Sequence, residues 1–186
     1  LPPLRHRNAL IKGDVTITTD SYCKDIAIHS GSLKINPGNR FILQDLDLYE
    51  NKAYLNSEGT ILLSGCVTLH KTFEESGKWY FISFPFDVFA SGIDPDFQLG
   101  DDKSDTNGNY FYVQTYNGEK RANSQSPSNN WEVIPQTIIN TSQPIFKKNK
   151  GYLIAIDASA DRQNLRFSSK AGDIPIDFGK NGQASI

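Results

Sequence analysis

The chain contains no methionine, only two cysteines, and no apolar stretch that approaches the roughly 20 residues a membrane-spanning helix needs. Acidic and basic residues nearly balance, 21 against 19, and the basic residues are scattered apart from short clusters near Arg5 and Lys148. This distribution lacks the concentrated positive surface of a nucleic-acid-binding protein. We therefore expect no membrane insertion and no nucleic-acid partner.

The chain also lacks a signal peptide, and it begins with Leu1 rather than with methionine. We interpret it as a mature or excised piece of a longer precursor, whose remaining domains would be its covalent neighbours. Folding of 186 residues is expected to bury roughly 70% of the extended chain's surface. That burial supplies a core without a structural metal or cofactor.

Helical signals are missing as well, because no run of ten or more residues combines a helical period with capping residues. From Asp14 onward, short alternating apolar runs separated by turn residues indicate strands. A polar break at 74–77 ends this pattern. We predict an all-β fold: an arm or linker at 1–13, then a short β-solenoid-like or irregular β segment at 14–75, packed on an antiparallel β-sandwich of jelly-roll type at 76–186.

An internal repeat of 20 residues supports the solenoid interpretation, because short strands at such a period are typical of stacked coils. A weaker copy places Val15 and Ile17 on Leu33 and Ile35, at an offset of 18. Two similarly patterned hairpins of a sandwich are the alternative. Sliding 24–43 onto 44–63 without a gap superimposes Asp25 on Asp45, Ile26 on Leu46, Ile28 on Leu48, Ile35 on Leu55, Asn36 on Asn56, and Phe41-Ile42-Leu43 on Ile61-Leu62-Leu63.

The repeat bears on the two cysteines. In its frame Cys66 lies under Leu46 and Ile26, about two rungs or ~10 Å from Cys23. A disulfide needs Cα atoms within about 7 Å of each other. Stacked coils therefore predict two free thiols, whereas a bond between Cys23 and Cys66 would favour a rearranged sandwich.

The densest apolar run spans 78–88 and predicts a core strand. One face of its two-residue period is apolar throughout, and the other begins with Trp79 and Phe81, which we also expect to enter the core. Pro85 cannot donate a ladder hydrogen bond, so it marks a sheet edge or the end of the strand. The residues of the apolar face are Tyr80, Ile82, Phe84, Phe86 and Val88.

A second strand is predicted at 110–116, followed directly by Asn117-Gly118. That dipeptide favours a tight hairpin turn, because both turn positions need positive φ. The returning strand would then begin at 119–122. Further strands are expected near Trp131, at 152–156 and at 165–167.

Taken in order, these segments resemble a module of large exported surface proteins of Bacteroidetes-type bacteria. The resemblance covers 78 to about 168 and implies a β-sandwich placed after short solenoid-like repeats. It also implies an extracytoplasmic location, at the cell surface or secreted, and it brings no catalytic residues to carry over. The segments that carry it are Lys78-Trp79-Tyr80-Phe81-Ile82-Ser83-Phe84-Pro85-Phe86-Asp87-Val88, Tyr110-Phe111-Tyr112-Val113, Tyr116-Asn117-Gly118, Arg121-Ala122, Trp131 and Asn149-Lys150-Gly151-Tyr152-Leu153-Ile154.

Aromatic and amide residues near predicted turns suggest a shallow carbohydrate site. Sugar rings stack on exposed aromatic faces while amide and charged groups hold hydroxyls. The alternative is that Trp79 and Trp131 fill the core and that Arg121 pairs with a local carboxylate. The candidate residues are Tyr116, Asn117, Arg121, Asn130 and Trp131.

The acidic segment 101–109 resembles a calcium loop in its alternation of oxygen ligands, but Lys103 stands at a ligand position and Gln114 at the place of the bidentate glutamate. A solvated acidic loop is the first interpretation. Calcium bound by Asp101, Asp102 and Asp105 is the alternative.

Catalytic motifs do not emerge from the chain. It has no HExxH, CxxC or phosphate loop, and Ser30-Gly31-Ser32 lacks the second glycine of a nucleophile elbow. Glu132 beside Trp131 is the best candidate acid for glycoside cleavage, although a charged residue flanking a strand is usually solvated. We therefore predict a non-catalytic structural or adhesive module that contacts a host, matrix or glycan surface. The alternative is a carbohydrate-binding module of a polysaccharide-handling protein.

Overall fold

A computed structural model describes residues 7–49, 53–101, 108–123, 130–172 and 183–184. These residues are mostly strands with one short α-helix, so the predicted all-β class is confirmed. None of the helices among them is long and apolar enough to cross a membrane. The chain divides into two compact units, Leu1–Lys71 with Arg166–Ile186, and Thr72–Leu165.

The strands are short, as the alternating runs predict. The one α-helix of the described residues is α1 (Gly118–Asn123), and 3-10 turns occur at Ala90–Gly92 and Gln136–Asn140. In chain order the strands are β1 (Ala9–Ile11), β2 (Val15–Ile17), β3 (Ser21–Tyr22), β4 (Asp25–Ile28), β5 (Gly31–Ile35), β6 (Arg40–Leu43), β7 (Asp45–Tyr49), β8 (Ala53–Ser57), β9 (Thr60–Leu63), β10 (Val67–Thr72), β11 (Trp79–Ser83), β12 (Gln98–Leu99), β13 (Tyr110–Tyr116), β14 (Trp131–Val133), β15 (Gly151–Ile156), β16 (Asn164–Ser168) and β17 (Gln183–Ala184).

In the first unit, successive coils of the chain pair in parallel, and we call β1–β10 the coil stack. Its strands form three ladders, β1-β4-β7-β10, β2-β5-β8 and β3-β6-β9, and β16 and β17 add to the first two. Alternate side chains point inward, since successive residues of a strand face opposite ways. Ile28, Leu33 and Leu46 are accordingly at most 1% exposed.

The parallel pairing confirms most of the predicted repeat. β4 meets β7, and β6 meets β9, at an offset of 20 residues, while β2 meets β5 at 18. β1 extends the first ladder with the same geometry, although it lies in the stretch predicted to be an arm. The confirmed pairs are Asp25 with Asp45, Ile26 with Leu46, Ile28 with Leu48, Phe41 with Ile61, Ile42 with Leu62, Leu43 with Leu63, Val15 with Leu33, and Ile17 with Ile35.

The ungapped repeat is wrong at β8. That strand pairs with β5 at an offset of 22, so Leu55 lies opposite Leu33 rather than Ile35, and Asn56 opposite Lys34 rather than Asn36. Two extra residues before β8 are compensated by a shorter turn after it, which restores the offset of 20 at β9. The shorter turn contains a glycine at position 59, where an added Cβ would lie 2.5 Å from the nearest side-chain carbon.

Cys23 and Cys66 are free thiols, as stacked coils predict. The predicted position of Cys66 under Leu46 is wrong, because β10 meets β7 at an offset of 21 and Val67 takes that place. Asp45 accommodates the extra residue, since its Oδ1 accepts the N–H of Cys66 at 2.7 Å.

The second unit contains one mixed sheet. β11 pairs with β15, β15 with β13, and β13 with both β14 and β12 along its other edge. All these pairs are antiparallel except β12 with β13. The described residues of this unit form only this sheet, so the second sheet of the predicted sandwich is not among them and the sandwich remains a prediction.

The apolar face of the 78–88 run is buried, as predicted, from Ile82 at 6% exposure to Val88 at 0%. β11 also ends before Pro85 and lies at the sheet edge. The expectation for its other face is wrong, because Trp79 is 44% exposed and Phe81 67%. Among the described residues of β11, the buried side chain of Ile82 and the exposed rings of Trp79 and Phe81 therefore lie on opposite sides of the strand.

The predicted hairpin at Asn117-Gly118 is also wrong. Neither residue has positive φ; instead Asn117 caps α1, its Oδ1 accepting the N–H of Lys120 at 2.9 Å. The strand that returns is β14, which places Trp131 opposite Tyr116. Asparagine is as common at a helix N-cap as in a turn, and in this structure Asn117 is an N-cap.

Candidate functional site

The side of the second unit's sheet that turns away from its core is rich in aromatic side chains, and we call it the outer face. Cross-strand register defines it, because residues directly opposite each other point the same way. Phe81 pairs with Leu153, Leu153 with Gln114, and Gln114 with Val133. The outer face comprises Trp79, Phe81, Ser83, Gly151, Leu153, Ala155, Tyr112, Gln114, Tyr116, Trp131 and Val133.

Three rings on this face form what we call the aromatic row: Phe81, Tyr116 and Trp131. Tyr116 and Trp131 are cross-strand neighbours whose ring centroids lie 5.3 Å apart at 66°. Phe81 reaches toward them across Gly151, since an added Cβ at Gly151 would lie 2.5 Å from the Cζ of Phe81. The ring of Phe81 therefore fills the side-chain position that Gly151 leaves open.

A polar network adjoins the Trp131 end of the row. The Nδ2 of Asn117 donates to Glu132 Oε1 at 3.0 Å, and the Nζ of Lys120 lies 3.7 Å from the same oxygen. Asn117 thereby links α1 to β14 while it caps the helix. Glu132, the candidate acid, serves in this network as a hydrogen-bond acceptor.

The structure separates the predicted carbohydrate residues into exposed and buried ones. Tyr116 and Arg121 are exposed, and Asn117 and Trp131 are partly exposed. Asn130 is only 2% exposed, and its backbone carbonyl accepts the N–H of Asn117 at 2.8 Å. Asn130 therefore positions the β14 end of the site and takes no part in its surface.

Two of the three predicted calcium ligands, Asp102 and Asp105, lie outside the described residues. Asp101 is partly exposed at the end of the segment after β12. No group of three or more histidine, cysteine or acidic side chains that could hold a metal occurs among the residues the structure describes. The calcium site remains a prediction.

The histidines and cysteines of the coil stack have structural surroundings. His70 lies beside Tyr49, with parallel rings 4.1 Å apart, and its Nε2 lies 2.7 Å from Asp47 Oδ1. Burial raises the pKa of the thiols of Cys23 and Cys66 above 9.0, which disfavours the nucleophilic thiolate.

A recess in the second unit is a weaker candidate ligand site than the outer face. Its volume is about 210 Å³, and its lining is largely apolar, including Phe97, Leu99 and Ile145. Pockets for small molecules usually measure about 300 Å³ or more. The aromatic row is the better candidate because it combines exposed rings with a polar network.

No family model, curated protein or solved structure matches this chain.

Sequence reasoning missed Phe81 and Trp79 as surface residues because it assigned both sides of β11 to a core. A signal was available in the same run: Ser83 shares their side of the strand, and Pro85 marks a strand end or edge. An edge strand with one polar position on a face is better interpreted as half-buried.

Proposed function

We propose that the protein is a non-catalytic adhesive or structural module of a bacterial cell-surface or secreted protein, and that it contacts its target through the outer face. The observation that carries the proposal is the aromatic row, with Phe81 67% and Tyr116 42% exposed on a strand-supported surface. Rigid aromatic side chains supply contact area at little entropic cost, which is why they dominate binding surfaces. The resemblance to exported surface modules supports the same assignment.

Adhesion tests this proposal. The Tyr116→Ala, Trp131→Ala double variant should bind immobilised mucin and extracellular-matrix proteins at least about tenfold more weakly than the parent, since one exposed and one partly exposed aromatic anchor are lost. Ile139→Ala is the matched control, because Ile139 is also 42% exposed in the same unit but lies off the sheet. Equal adhesion of the double variant and the parent would exclude the outer face as the contact surface.

A carbohydrate-binding module of a polysaccharide-handling protein is the second candidate function. The pairing of Tyr116 and Trp131 beside the amide of Asn117 favours it, because sugars need an aromatic platform with adjacent hydrogen-bonding groups. A glycan array comparing the parent with Trp131→Ala and Tyr116→Ala decides between the two. Glycan binding that both substitutions abolish supports this candidate, and binding that survives both eliminates the site.

A further inference from the structure

We propose that the aromatic row binds a single, soluble β-1,4-linked glycan chain that runs across the strands of the sheet. This inference rests on the proposed function, since it names the partner that the outer face takes. It adds Phe81 to the predicted carbohydrate residues and makes the site longer than one sugar. Three features of the row carry it: continuity, spacing and tilt.

The row is continuous because of Gly151. Register places Gly151 opposite Ser83 on β11, one strand away from the position of Tyr116. With no side chain there, the Phe81 ring occupies the gap, and the three rings follow one another over β15, β13 and β14. An alanine at 151 would displace the Phe81 ring and interrupt the row.

The spacing of the row suits a chain of sugars. Adjacent strands lie about 4.8 Å apart, so Phe81 over β15 and Trp131 on β14 are separated by about 10 Å across the sheet. For each sugar, an extended β-1,4-linked chain advances by a distance similar to the spacing between two adjacent strands. Successive sugars can therefore meet successive rings, with Gln114 one outer-face position further along β13 as a hydrogen-bonding group.

The tilt of the row selects a single chain over a crystalline surface. A sugar stacks with its face parallel to the ring beneath it. The planes of the Tyr116 and Trp131 rings are inclined at 66°, so sugars stacked on both rings must be rotated relative to each other by a similar angle. A free chain can twist in this way, whereas chains packed in a flat crystal face cannot.

Calorimetric titration with xylo- and cello-oligosaccharides from two to six sugars tests the proposal. Affinity should rise at least about tenfold between the disaccharide and the tetrasaccharide, because a third ring engages within the same molecule. Phe81→Ala should remove this rise with chain length, while Trp131→Ala should weaken the binding of both the disaccharide and the tetrasaccharide. Gly151→Ala keeps the Phe81 ring but displaces it, so it should lower tetrasaccharide affinity in the same direction, and Ile139→Ala should match the parent.

The outcomes separate this inference from the proposed function. Affinity that does not depend on chain length, or that Phe81→Ala leaves unchanged, overturns the extended site alone. Binding to crystalline cellulose but not to soluble chains overturns it as well. If no oligosaccharide binds while the outer-face double variant still loses adhesion to mucin or matrix protein, the glycan is the wrong partner and the adhesive function stands.

Discussion

At the residue scale, two glycines of the coil stack have similar backbone angles but different neighbours. Gly31 has φ of 83° and Gly38 has φ of 79°, a region that residues with a Cβ rarely adopt. A Cβ on Gly31 would overlap the backbone of Gly13, whereas a Cβ on Gly38 would meet nothing within 4 Å. Only Gly31 combines the conformation with a close backbone approach between coils.

We predict that Gly31→Ala lowers the free energy of unfolding by about 3 kcal/mol and Gly38→Ala by about 1 kcal/mol. Both substitutions place a Cβ on a residue with positive φ and so strain the backbone, but only Gly31→Ala must also separate two backbone segments. Urea unfolding of the two variants measures the difference. Equal losses would mean that the contact between Gly31 and Gly13 carries no weight.

Asp157, which directly follows β15, makes a pH-dependent contribution to the free energy of unfolding. Its Oδ1 accepts the hydroxyl of Ser159 at 2.6 Å and the N–H of Ser159 at 2.8 Å, and its Oδ2 accepts the hydroxyl of Tyr112 at 2.8 Å. These hydrogen bonds, those from Ser159 foremost, hold the pKa of Asp157 below its usual 3.8. The carboxylate is therefore stabilised by folding.

We predict that Asp157→Asn destabilises the protein by about 1 kcal/mol at pH 7. A depressed folded-state pKa adds stability above the unfolded value of 3.8, and this stability is lost as pH falls through the lower folded value. The difference in unfolding free energy between parent and variant should therefore narrow as the pH falls below about 4 in urea unfolding. Asp161→Asn, at an exposed position nearby, is the control. A gap of constant size would rule out the linkage.

Residue-scale patterns predicted burial better than they predicted exposure. The alternation in 78–88 identified the buried side from Ile82 to Val88, because apolar residues two apart must share a face. It could not show that Trp79 and Phe81 on the opposite side are exposed in the described part of the chain, since these two residues are as apolar as core residues. Whether such residues are covered depends on elements distant in sequence.

At the scale of elements, β16 is joined to β10 by two serines that follow one another. The Oγ of Ser169 accepts the N–H of Val67 at 3.0 Å in a buried setting, and the N–H of Ser169 donates to the Val67 carbonyl at 2.9 Å. Ser168 Oγ lies 2.9 Å from Thr68 Oγ1 where both are partly exposed. The two contacts therefore differ mainly in burial.

We predict that Ser169→Ala costs about 2 kcal/mol, because it leaves a buried N–H without its acceptor. Ser168→Ala should cost about 0.5 kcal/mol, since water can replace the lost hydroxyl at a partly exposed position. Thermal unfolding ranks the two, and amide exchange at Val67 should speed up only in Ser169→Ala. The reverse ranking would show that the Val67 contact does not hold β16.

Register was predictable where the repeat is regular and not where residues are inserted. The pairs from β4 with β7 and from β6 with β9 follow from matching apolar positions. At β8, pairing Leu55 with Leu33 matches apolar residues as well as pairing Leu55 with Ile35 does. Only the lengths of the turns around β8 determine which of the two registers forms. The helix α1 was missed for a related reason, because Asn117-Gly118 suits a turn and a cap equally.

At the scale of the whole molecule, the chain leaves the first unit, builds the second, and returns. The two units divide between Lys71 and Thr72, and the domain boundary near residue 75 stays a prediction. The return of residues from Arg166 to the first unit was not predictable, because β16 contacts residues about 100 positions away. The unit that carries the aromatic row is thus a continuous segment, Thr72–Leu165.

The most direct measurement is an NMR titration of the two tryptophan indole N–H signals, from Trp79 and Trp131, with xylotetraose. We predict that the Trp131 signal moves saturably, together with backbone amides near Tyr116 and Phe81, while amides of the coil stack such as Leu46 stay in place. Phe81→Ala should weaken the titration and Ile139→Ala should not. An unmoved Trp131 signal, or shifts centred on the coil stack, would contradict the assignment of binding to the outer face.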